Sequence, residues 1–525
     1  MTRPLLLIDV VGLAWRHVGE DTPNLDALRR AGHGAPMTTV LPAVTCSAQA
    51  TMLTGLAPRD HGIVGNGWYF EDVGEVLFWR QSNRCVRGEK LYETARRLDP
   101  SFTCAKMFWW WNMGADVERS ITPRPHYPAD GRKILAVYGT PKGFAEEMES
   151  TLGAFPFFDF WGPRSGLASS RWIADATKRT LERDRPTLTL CYLPHLDYNH
   201  QRFGADSPQG KRALREVDAL VGELVATASS TGTEVMVVSE YAITDVARDV
   251  QVNRALRRAG LLEVRESPVG DMLDVFASRA FAVADHQIAH VHVKRQEDLR
   301  DVRVLLEALE GVDFVLGEEG KREFGLDHSR AGDLVAVSKP DAWFSYYYWL
   351  DEANAPDFAP TVDIHRKPGY DPAELFVDPA IALPKLRVAR RLAQKKLGMR
   401  YLMDVVPTNA SLVRGSHGRL PDTPSDGPVF ISSQPASTFG ELGESRQVEM
   451  ASVKTRALRA MGLRELSLTH RETCARGRRA RDRACAGNAA RHFVPRRTGR
   501  AMFHHGRKER NWRGHAWSSL SSIPL

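Results

Sequence analysis

The sequence predicts an α/β fold, with a mostly parallel central sheet, helices on both faces and a smaller α+β lid insertion. Two observations predict the sheet: short apolar runs end in polar residues, and helical segments of crossover length stand between these runs. A third observation predicts the lid, because residues from about 265 to 345 read as strand, helix, strand and strand.

The predicted strands of the sheet each end close to a polar side chain. LLLIDVVG (5–12) is followed by the helix TPNLDALRRAG, TLTLCYL (187–193) follows the helix SSRWIADATKRTLERD, and TEVMVVSE (233–240) follows GKRALREVDALVGELVATA. Ligands of such sheets bind beyond the carboxyl ends of the strands. We therefore expect one crevice to collect the polar residues that follow predicted strands, which are Asp9, Thr45, Asp197 and Glu240.

The rest of the chain divides by composition. Residues 1–435 are predicted to form the main folded domain, in which residues from about 67 to 168 read as an irregular, aromatic-rich insertion that contains FWWW. Residues 436–525 carry 19 Lys and Arg against 7 Asp and Glu, whereas residues 1–435 carry 52 against 57. The net charge of +7 thus belongs to the tail, which is predicted to be disordered, and we infer no nucleic-acid partner from it.

Composition also limits the class of protein. No apolar run has the length of a membrane span, and Asp9 and Gly12 interrupt the N-terminal apolar run, which we interpret as a buried strand. The six cysteines show no paired spacing, which favours scattered reduced thiols. These features predict a cytoplasmic protein that does not enter a membrane.

The segment LPAVTCSAQATMLTGLAPRDHGIVGN (41–66) carries the most specific pattern. Its P-x-x-T, its Thr-Gly nine residues later and its HGIVGN run resemble the alkaline phosphatase superfamily. The nearest branch is that of nucleotide pyrophosphatases/phosphodiesterases, to which phosphonoacetate hydrolase is related. The resemblance implies that Thr45 is the nucleophile, that Asn66 binds a phosphoryl oxygen and that the substrate is a small phosphorylated molecule. A plain helix-capping role is the alternative for Thr45.

The same resemblance implies two divalent metal ions. A threonine hydroxyl needs a base or a metal to become a nucleophile, and two cations can stabilise both oxygens of an in-line displacement at phosphorus. LPHLDYNHQRFG resembles a ligand motif but has Gln201 at the histidine position, so His200 is the candidate substitute. The late segment RGSHGRL supplies a final histidine. The metal ligands implied are Asp9, Thr45, Asp197, His200, Glu240, Tyr241 and His417.

Two departures from the family pattern affect which metal ions are expected. In VVSEYAIT, Glu240 and Tyr241 stand where the family has Asp and His, so one imidazole is replaced by an oxygen donor, and Gln201 marks the possible loss of a second. This change shifts the expected metal from Zn toward Mn, Fe or Mg, or leaves one position weak or vacant.

Two further groups of residues remain open. VDIHRKPGYDPAELF (362–376) places His365 and Lys367 beside a Pro-Gly turn, as a ligand, a phosphate-binding lysine or a salt-bridged turn. His286, His290 and His292 share one predicted strand face, which is more typical of a half-exposed surface than of a metal site.

The resemblance therefore predicts a metal-dependent phosphoester or phosphodiester hydrolase that works through a phospho-threonine. A phosphonate hydrolase or phosphotransferase of the same fold is one alternative. A non-catalytic binding protein with a degenerate metal site is the other.

Overall fold

The computed structural model describes residues 2–129, 133–440 and 447–464. Its strands are β1 (Leu5–Val10), β2 (His33–Pro36), β3 (Gly67–Phe70), β4 (Glu75–Phe78), β5 (Cys104–Met107), β6 (Arg119–Pro123), β7 (Val137–Thr140), β8 (Leu188–Leu193), β9 (Glu234–Val238), β10 (Thr244–Asp245), β11 (Arg248–Val250), β12 (Glu263–Arg265), β13 (Met272–Asp274), β14 (Ala280–Asp285), β15 (Ile288–Val293), β16 (Val312–Leu316), β17 (Leu334–Ser338), β18 (Ala342–Phe344), β19 (Gly415–Ser416) and β20 (Val429–Ser432). Its helices are α1 (Pro23–Ala31), α2 (Thr45–Thr54), α3 (Pro58–His61), α4 (Leu91–Leu98), α5 (Phe144–Leu152), α6 (Leu167–Arg183), α7 (His195–Phe203), α8 (Pro208–Ser230), α9 (Val252–Arg258), α10 (Leu299–Glu307), α11 (Glu318–Glu323), α12 (Pro384–Lys396) and α13 (Val453–Ala460).

The central sheet has the order β2-β20-β9-β1-β8-β5-β6-β7. Its five middle strands, from β9 to β6, run parallel, and the flanking strands β20, β2 and β7 pair antiparallel. Asp9 of β1 lies in register with Tyr192 of β8 and Val238 of β9. The predicted α/β fold with a mostly parallel sheet is confirmed, and the carboxyl ends of three neighbouring strands meet beside Asp9.

Helices cover both faces of the sheet, as predicted. Successive residues of a strand point to opposite faces, so β1, which is buried throughout, contributes to two separate cores. Leu5 and Leu7 share one core with residues of α2. Leu6 and Ile8 share the other with residues of α6 and α8.

The prediction of an aromatic-rich insertion over residues 67–168 differs from the structure. This stretch contains β5, β6 and β7, and β5 pairs parallel with β8, so it completes the central sheet. The FWWW run (108–111) is buried in the cores, where its aromatic side chains pack against apolar residues. Irregular composition misled the prediction because these strands are short and their connections are rich in Trp and Phe.

The predicted α+β segment forms a four-stranded antiparallel sheet, β14-β15-β17-β16, with α10 and α11 in its connections. The run AFAVADHQIAHVHV is a hairpin, however, and His286 lies in its turn with a φ of 62°. His290 is buried and bonds to the carbonyl oxygen of Val64 at 2.8 Å, so the three histidines form neither a half-exposed face nor one cluster. Opening and closing of this segment as a lid stays a prediction.

The folded unit continues past the predicted boundary at residue 435. Val448, Val453 and Leu458 are buried in the core that α2 shares with β1. The compact unit runs to Arg464, because the apolar face of α13 completes that core. The remainder of the predicted disordered tail, residues 465–525, lies outside the described residues.

Two smaller findings concern the predicted class of protein. Cys46, Cys85, Cys104 and Cys191 are free thiols, as predicted. In the described ranges, no helix has the length and apolar character needed to cross a bilayer.

Candidate active site

Thr45 occupies the first turn of α2, at the carboxyl edge of the sheet. Val44, not Thr45, is the residue before the first helical position, and the Thr45 hydroxyl donates to Oε2 of Glu240 at 2.8 Å. The side chain is therefore not used as a helix cap. The first turn of a helix carries unpaired N–H groups and a partial positive charge, which favour an anion beside this hydroxyl.

Glu240 and Asp9 lie together next to Thr45, and Gln49 of α2 bridges them. The Gln49 amide Nε2 donates to Oε1 of Glu240 at 2.7 Å and to Oδ2 of Asp9 at 3.1 Å. Burial raises the pKa of both carboxyls, and the neighbouring charge of Glu240 raises that of Asp9 further. The pair favours either a shared proton or a cation in its place.

Asp197 begins a second group of contacts, on α7 after β8. Its Oδ2 accepts from Nε2 of Gln201 at 2.7 Å, one helical turn away, and its Oδ1 accepts from the hydroxyl of Tyr241 at 3.2 Å. The Tyr241 hydroxyl also lies 3.3 Å from the Thr45 hydroxyl oxygen. Burial raises the pKa of Asp197 to about 7.

His417 is a neighbour of both Tyr241 and Asp197. Its ring stacks on the Tyr241 ring with centroids 3.5 Å apart, and its Nδ1 donates to the carbonyl oxygen of Ala43 at 2.8 Å. Burial holds the pKa of His417 well below its ordinary value, so the ring is neutral and Nε2 carries a lone pair. That Nε2 lies 3.9 Å from Oδ1 of Asp197 and has no hydrogen-bond partner.

Asn66 is fixed beside α2 by both ends of its amide. Its Oδ1 accepts from the backbone N–H of Cys46 at 3.0 Å, and its Nδ2 donates to Oδ1 of Asp285 at 3.1 Å. Its backbone N–H also donates to Oδ2 of Asp285, at 2.7 Å. One proton of Nδ2 remains for a phosphoryl oxygen, as the sequence predicts for this residue.

Asp285 is held in turn by the strained residue His286. The two side chains contact each other at 2.8 Å, and the His286 ring lies between the rings of Tyr370 and His417, with centroids 3.5 and 3.7 Å away. A non-glycine residue with positive φ persists only where surrounding contacts determine it, and such residues cluster at functional sites. The hairpin turn of residues 286 and 287 thus belongs to the site.

Three predicted site residues lie elsewhere. His200 packs edge-on against His17 with ring centroids 5.4 Å apart, while Gln201 takes the contact with Asp197. Lys367 is buried between Asp371 and Glu374, at 2.7 and 2.8 Å, so the salt-bridged turn is the alternative that the structure shows. His365 lies near Tyr127, with ring centroids 6.4 Å apart.

The metal ions implied by the resemblance can be tested against these donors. Within residues 2–129, 133–440 and 447–464, no group of three or more His, Cys, Asp and Glu is arranged to hold a metal ion. Around Thr45, however, two carboxylates and a hydroxyl converge, and the buried Oδ1 of Asp9 has no hydrogen-bond partner. No Lys or Arg of the described part bonds to Asp9 or Glu240. These donors fit one hard divalent cation.

The position around Asp197 does not fit a second ion. Asp197 accepts hydrogen bonds from Gln201 and Tyr241, as Glu240 does from Gln49 and Thr45, but only one further ligand atom, Nε2 of His417, lies beside Asp197, whereas Asp9 and the Thr45 oxygen lie beside Glu240. An N–H donor cannot ligate a cation. The lone pair of His417 is then a single unused donor, which is too few for a resident metal ion.

Gln49, Asp285 and Tyr370 were not predicted as site residues, and His286 was predicted to lie on a half-exposed strand face. Asp285 ends an apolar strand, which is the same signal that singled out Asp9. Gln49 stands one turn after Thr45 on α2, so its side chain lies on the same helix face. For Tyr370, whose hydroxyl donates to Oε1 of Gln201 at 2.8 Å across 169 positions of sequence, no local signal exists.

Comparisons with known proteins identify the family of the chain. The profile of the family "Type I phosphodiesterase / nucleotide pyrophosphatase" matches residues 5–371. An uncharacterised pyrophosphatase/phosphodiesterase of Schizosaccharomyces pombe is 28% identical over 212 residues, which are 39% of this chain and 36% of that protein. The match thus spans about a third of the length of this curated relative.

Solved structures share the fold. Phosphonoacetate hydrolase of Sinorhizobium meliloti, in complex with phosphonoformate, superposes with a TM-score of 0.56 at 16% identity, over 87% of this chain and 96% of that one. Murine ectonucleotide pyrophosphatase/phosphodiesterase 5, in complex with AMP, gives a TM-score of 0.53 at 14% identity, over 88% and 96%. With the family profile covering most of the folded unit, the chain belongs to the type I phosphodiesterase/nucleotide pyrophosphatase family, a family of phosphoester hydrolases.

Proposed function

We propose that this chain hydrolyses phosphoester or phosphodiester bonds of small molecules by transferring the phosphoryl group to Thr45 and then to water. One observation carries the proposal: the Thr45 hydroxyl lies in the first turn of α2, 2.8 Å from the Glu240 carboxylate, with the Asn66 amide beside it. A nucleophile, a proton acceptor and an anion site are thus adjacent.

The residues suggest the following first step. As the Thr45 oxygen forms its bond to phosphorus, its proton passes to Oε2 of Glu240, and the bond from phosphorus to the leaving group breaks. The free proton of Asn66 Nδ2 and the first turn of α2 stabilise the charge on the phosphoryl oxygens. The proton on Glu240 then passes to the leaving-group oxygen. In the second step water attacks phosphorus, the bond from phosphorus to Thr45 breaks, and Glu240 transfers the proton that water loses to the Thr45 oxygen.

A cation completes this proposal. Held by Asp9, Thr45 and Glu240, a divalent ion would lower the pKa of the hydroxyl and offset the charge of the phosphoryl group. Because the donors are all oxygen atoms, we expect Mg or Mn in preference to Zn.

A small pocket of about 50 Å³ lies beside the site and is lined by residues that include Ala43, Tyr241 and Arg419. Arg419 is paired with Asp313 and Asp422. A small phosphorylated molecule is the proposed substrate class because the chain belongs to a family of phosphodiesterases and pyrophosphatases.

A substrate panel tests the proposal. Wild-type protein with Mn²⁺, Mg²⁺ or Zn²⁺ is assayed on bis(p-nitrophenyl) phosphate, p-nitrophenyl phosphate, a nucleotide diester and phosphonoacetate. We expect turnover of an ester, loss of at least a thousandfold in Thr45→Ala, and retained turnover in the control Thr54→Ala, at the other end of α2. Turnover of phosphonoacetate alone would favour a phosphonate hydrolase, and equal turnover in Thr45→Ala would refute the proposal.

A binding protein without catalysis is the second candidate. It is favoured by the hydrogen bonds of Gln201 and Tyr241 to Asp197, which satisfy a carboxylate without a metal. Ligand binding without turnover under every cation would select it.

A further inference from the structure

We infer that the site takes one divalent cation per chain, at Asp9, Thr45 and Glu240, and that hydrogen bonds replace a second cation at Asp197. The inference rests on the proposed function, since it concerns the ion of the same reaction. It goes further in fixing how many ions the chain holds and which side chains decide that number.

Gln49 orients the two carboxylates of the proposed cation position. Its Nε2 donates to Oδ2 of Asp9 and to Oε1 of Glu240. Oδ1 of Asp9 is left without a hydrogen bond, and Oε2 of Glu240 lies beside the Thr45 hydroxyl. The backbone N–H of Trp110 donates to Oε1 of Gln49 at 2.6 Å, so the amide must present its N–H₂ group to the carboxylates. Each carboxylate is thereby held through one oxygen, which leaves its other oxygen to a cation, as supporting residues of metal sites do.

At Asp197, the second position, hydrogen bonds that involve Tyr241, Gln201 and Tyr370 take the place of a cation. The carboxylate of Asp197 can only accept, so it orients the Gln201 amide with Nε2 toward Oδ2, and the Tyr370 hydroxyl then donates to Oε1 of Gln201. Tyr241 donates to the remaining oxygen of Asp197, and its ring covers His417 by stacking. A cation at Asp197 would have to displace two hydrogen bonds and would gain no nitrogen ligand from residue 201.

The segment that carries Tyr370 is itself anchored. Lys367 is buried between Asp371 and Glu374, and the Nε1 of Trp161 donates to Glu374 at 2.5 Å. Because residues Pro372–Leu375 contact α7, this ion-pair cluster holds Tyr370 beside Gln201. The contact between these two side chains is therefore built into the fold.

Metal counting tests the inference without any assay of activity. Full-length protein is dialysed against chelator, titrated with Mn²⁺ by calorimetry and analysed by elemental analysis after equilibrium with a slight excess of Mn²⁺. We expect one ion per chain. A count of two, or of none, would overturn the inference.

Variants locate the ion. Asp9→Asn should weaken Mn²⁺ binding at least tenfold, whereas Asp197→Asn should change it less than threefold, with circular dichroism showing that both variants are folded. Equal losses in the two variants would place the ion at Asp197 or between both groups, and would overturn the assignment.

A gain of binding tests the replaced position. The double variant Gln201→His with Tyr241→His restores two imidazoles beside Asp197 and His417, and we expect a second Mn²⁺ or Zn²⁺ per chain. A count that stays at one would contradict the role given to Gln201 and Tyr241.

These outcomes are separate from those of the proposed function. One ion without turnover would refute the hydrolase proposal alone. Two ions with turnover that depends on Thr45 would refute the single-cation inference alone.

Discussion

At the scale of single residues, Gln49 orients the buried carboxylates of the candidate site. One amide contacts two buried carboxylates, and its own orientation is fixed by a backbone N–H. Without Gln49, the buried oxygens it contacts would lose their donor, and two negative charges would face each other without a bridge.

Substitution of Gln49 should therefore weaken cation binding. We expect Gln49→Leu to raise the Kd for Mn²⁺ about tenfold to a hundredfold, in the range measured for residues that orient metal ligands. Isothermal titration calorimetry measures the change. Gln434→Leu is the matched control, because Gln434 is also buried but bonds to Ala460 at the far side of the fold; an equal effect there would mean that only general stability was lost.

Asp285 holds both the backbone and the side chain of Asn66. Its two oxygens bind the backbone and the amide of Asn66 and thereby aim the remaining amide proton. We expect Asp285→Asn to lower kcat/KM about tenfold to a hundredfold while Mn²⁺ binding stays unchanged. Unchanged kinetics would remove Asp285 from the site, and Asp313→Asn on the surface provides the comparison.

At the scale of elements, the loop that follows β5 contacts α2 through the hydrogen bond from the Trp110 N–H to Gln49. Lys106 of β5 is buried, and its Nζ donates to the carbonyl oxygens of Trp110 and Trp111, both at 3.0 Å. Phe108 and Trp111 have positive φ values of 62° and 60°, so this lysine stabilises a strained loop. The same loop supplies the N–H that orients Gln49.

The stability of this loop should depend on pH. Burial lowers the pKa of Lys106 from 10.5 to about 7. Between these values the unfolded chain binds a proton that the folded chain lacks, so the lysine's contribution to the free energy of unfolding rises with pH, by at most about 1.4 kcal/mol per pH unit.

Denaturant unfolding of wild type and Lys106→Met at pH 7 and pH 9 measures this effect. We expect the free energy of unfolding of wild type, relative to the variant, to be larger at pH 9. An equal difference at both pH values would contradict the burial of a neutral lysine.

Across the whole molecule, α13, the last helix of the described residues, belongs to the folded unit that contains the candidate site. Leu458 is buried in the core shared with α2, and we expect Leu458→Ala to lower the free energy of unfolding by about 2–5 kcal/mol. Thr455→Ala, on the exposed face of the same helix, should change it by less than about 0.5 kcal/mol. Similar small effects of both substitutions would place α13 outside the cooperative unit.

The sequence predicts the parts of this fold that depend on local pattern. Apolar runs and helical spacing predict the strands around Asp9 and the helices on both faces, and Thr45 and Asn66 stand in one continuous motif. The strands β5 to β7 were missed because short strands in aromatic-rich sequence have no periodic signal. The extent of the folded unit to Arg464 was missed because the basic composition of residues 436–525 concealed the apolar face of α13.

Contacts between segments that are far apart in the sequence could not be predicted from local patterns. Tyr370 meets Gln201, and Asp285 meets Asn66, only because the hairpin of β14 and β15 and the segment around Lys367 pack beside α7 and α2. The location of the protein in the cell and the identity of its substrate stay predictions.

The central claim is that Thr45 accepts the phosphoryl group, and a trapped adduct tests it most directly. Protein with bound Mn²⁺ is mixed with bis(p-nitrophenyl) phosphate, quenched in acid within seconds and digested for mass spectrometry. We predict that the peptide containing Thr45 gains the mass of a phosphoryl group or of its p-nitrophenyl ester, at Thr45, and that Thr45→Ala gains none. Turnover with no adduct on Thr45, or an adduct that persists in Thr45→Ala, would contradict the account.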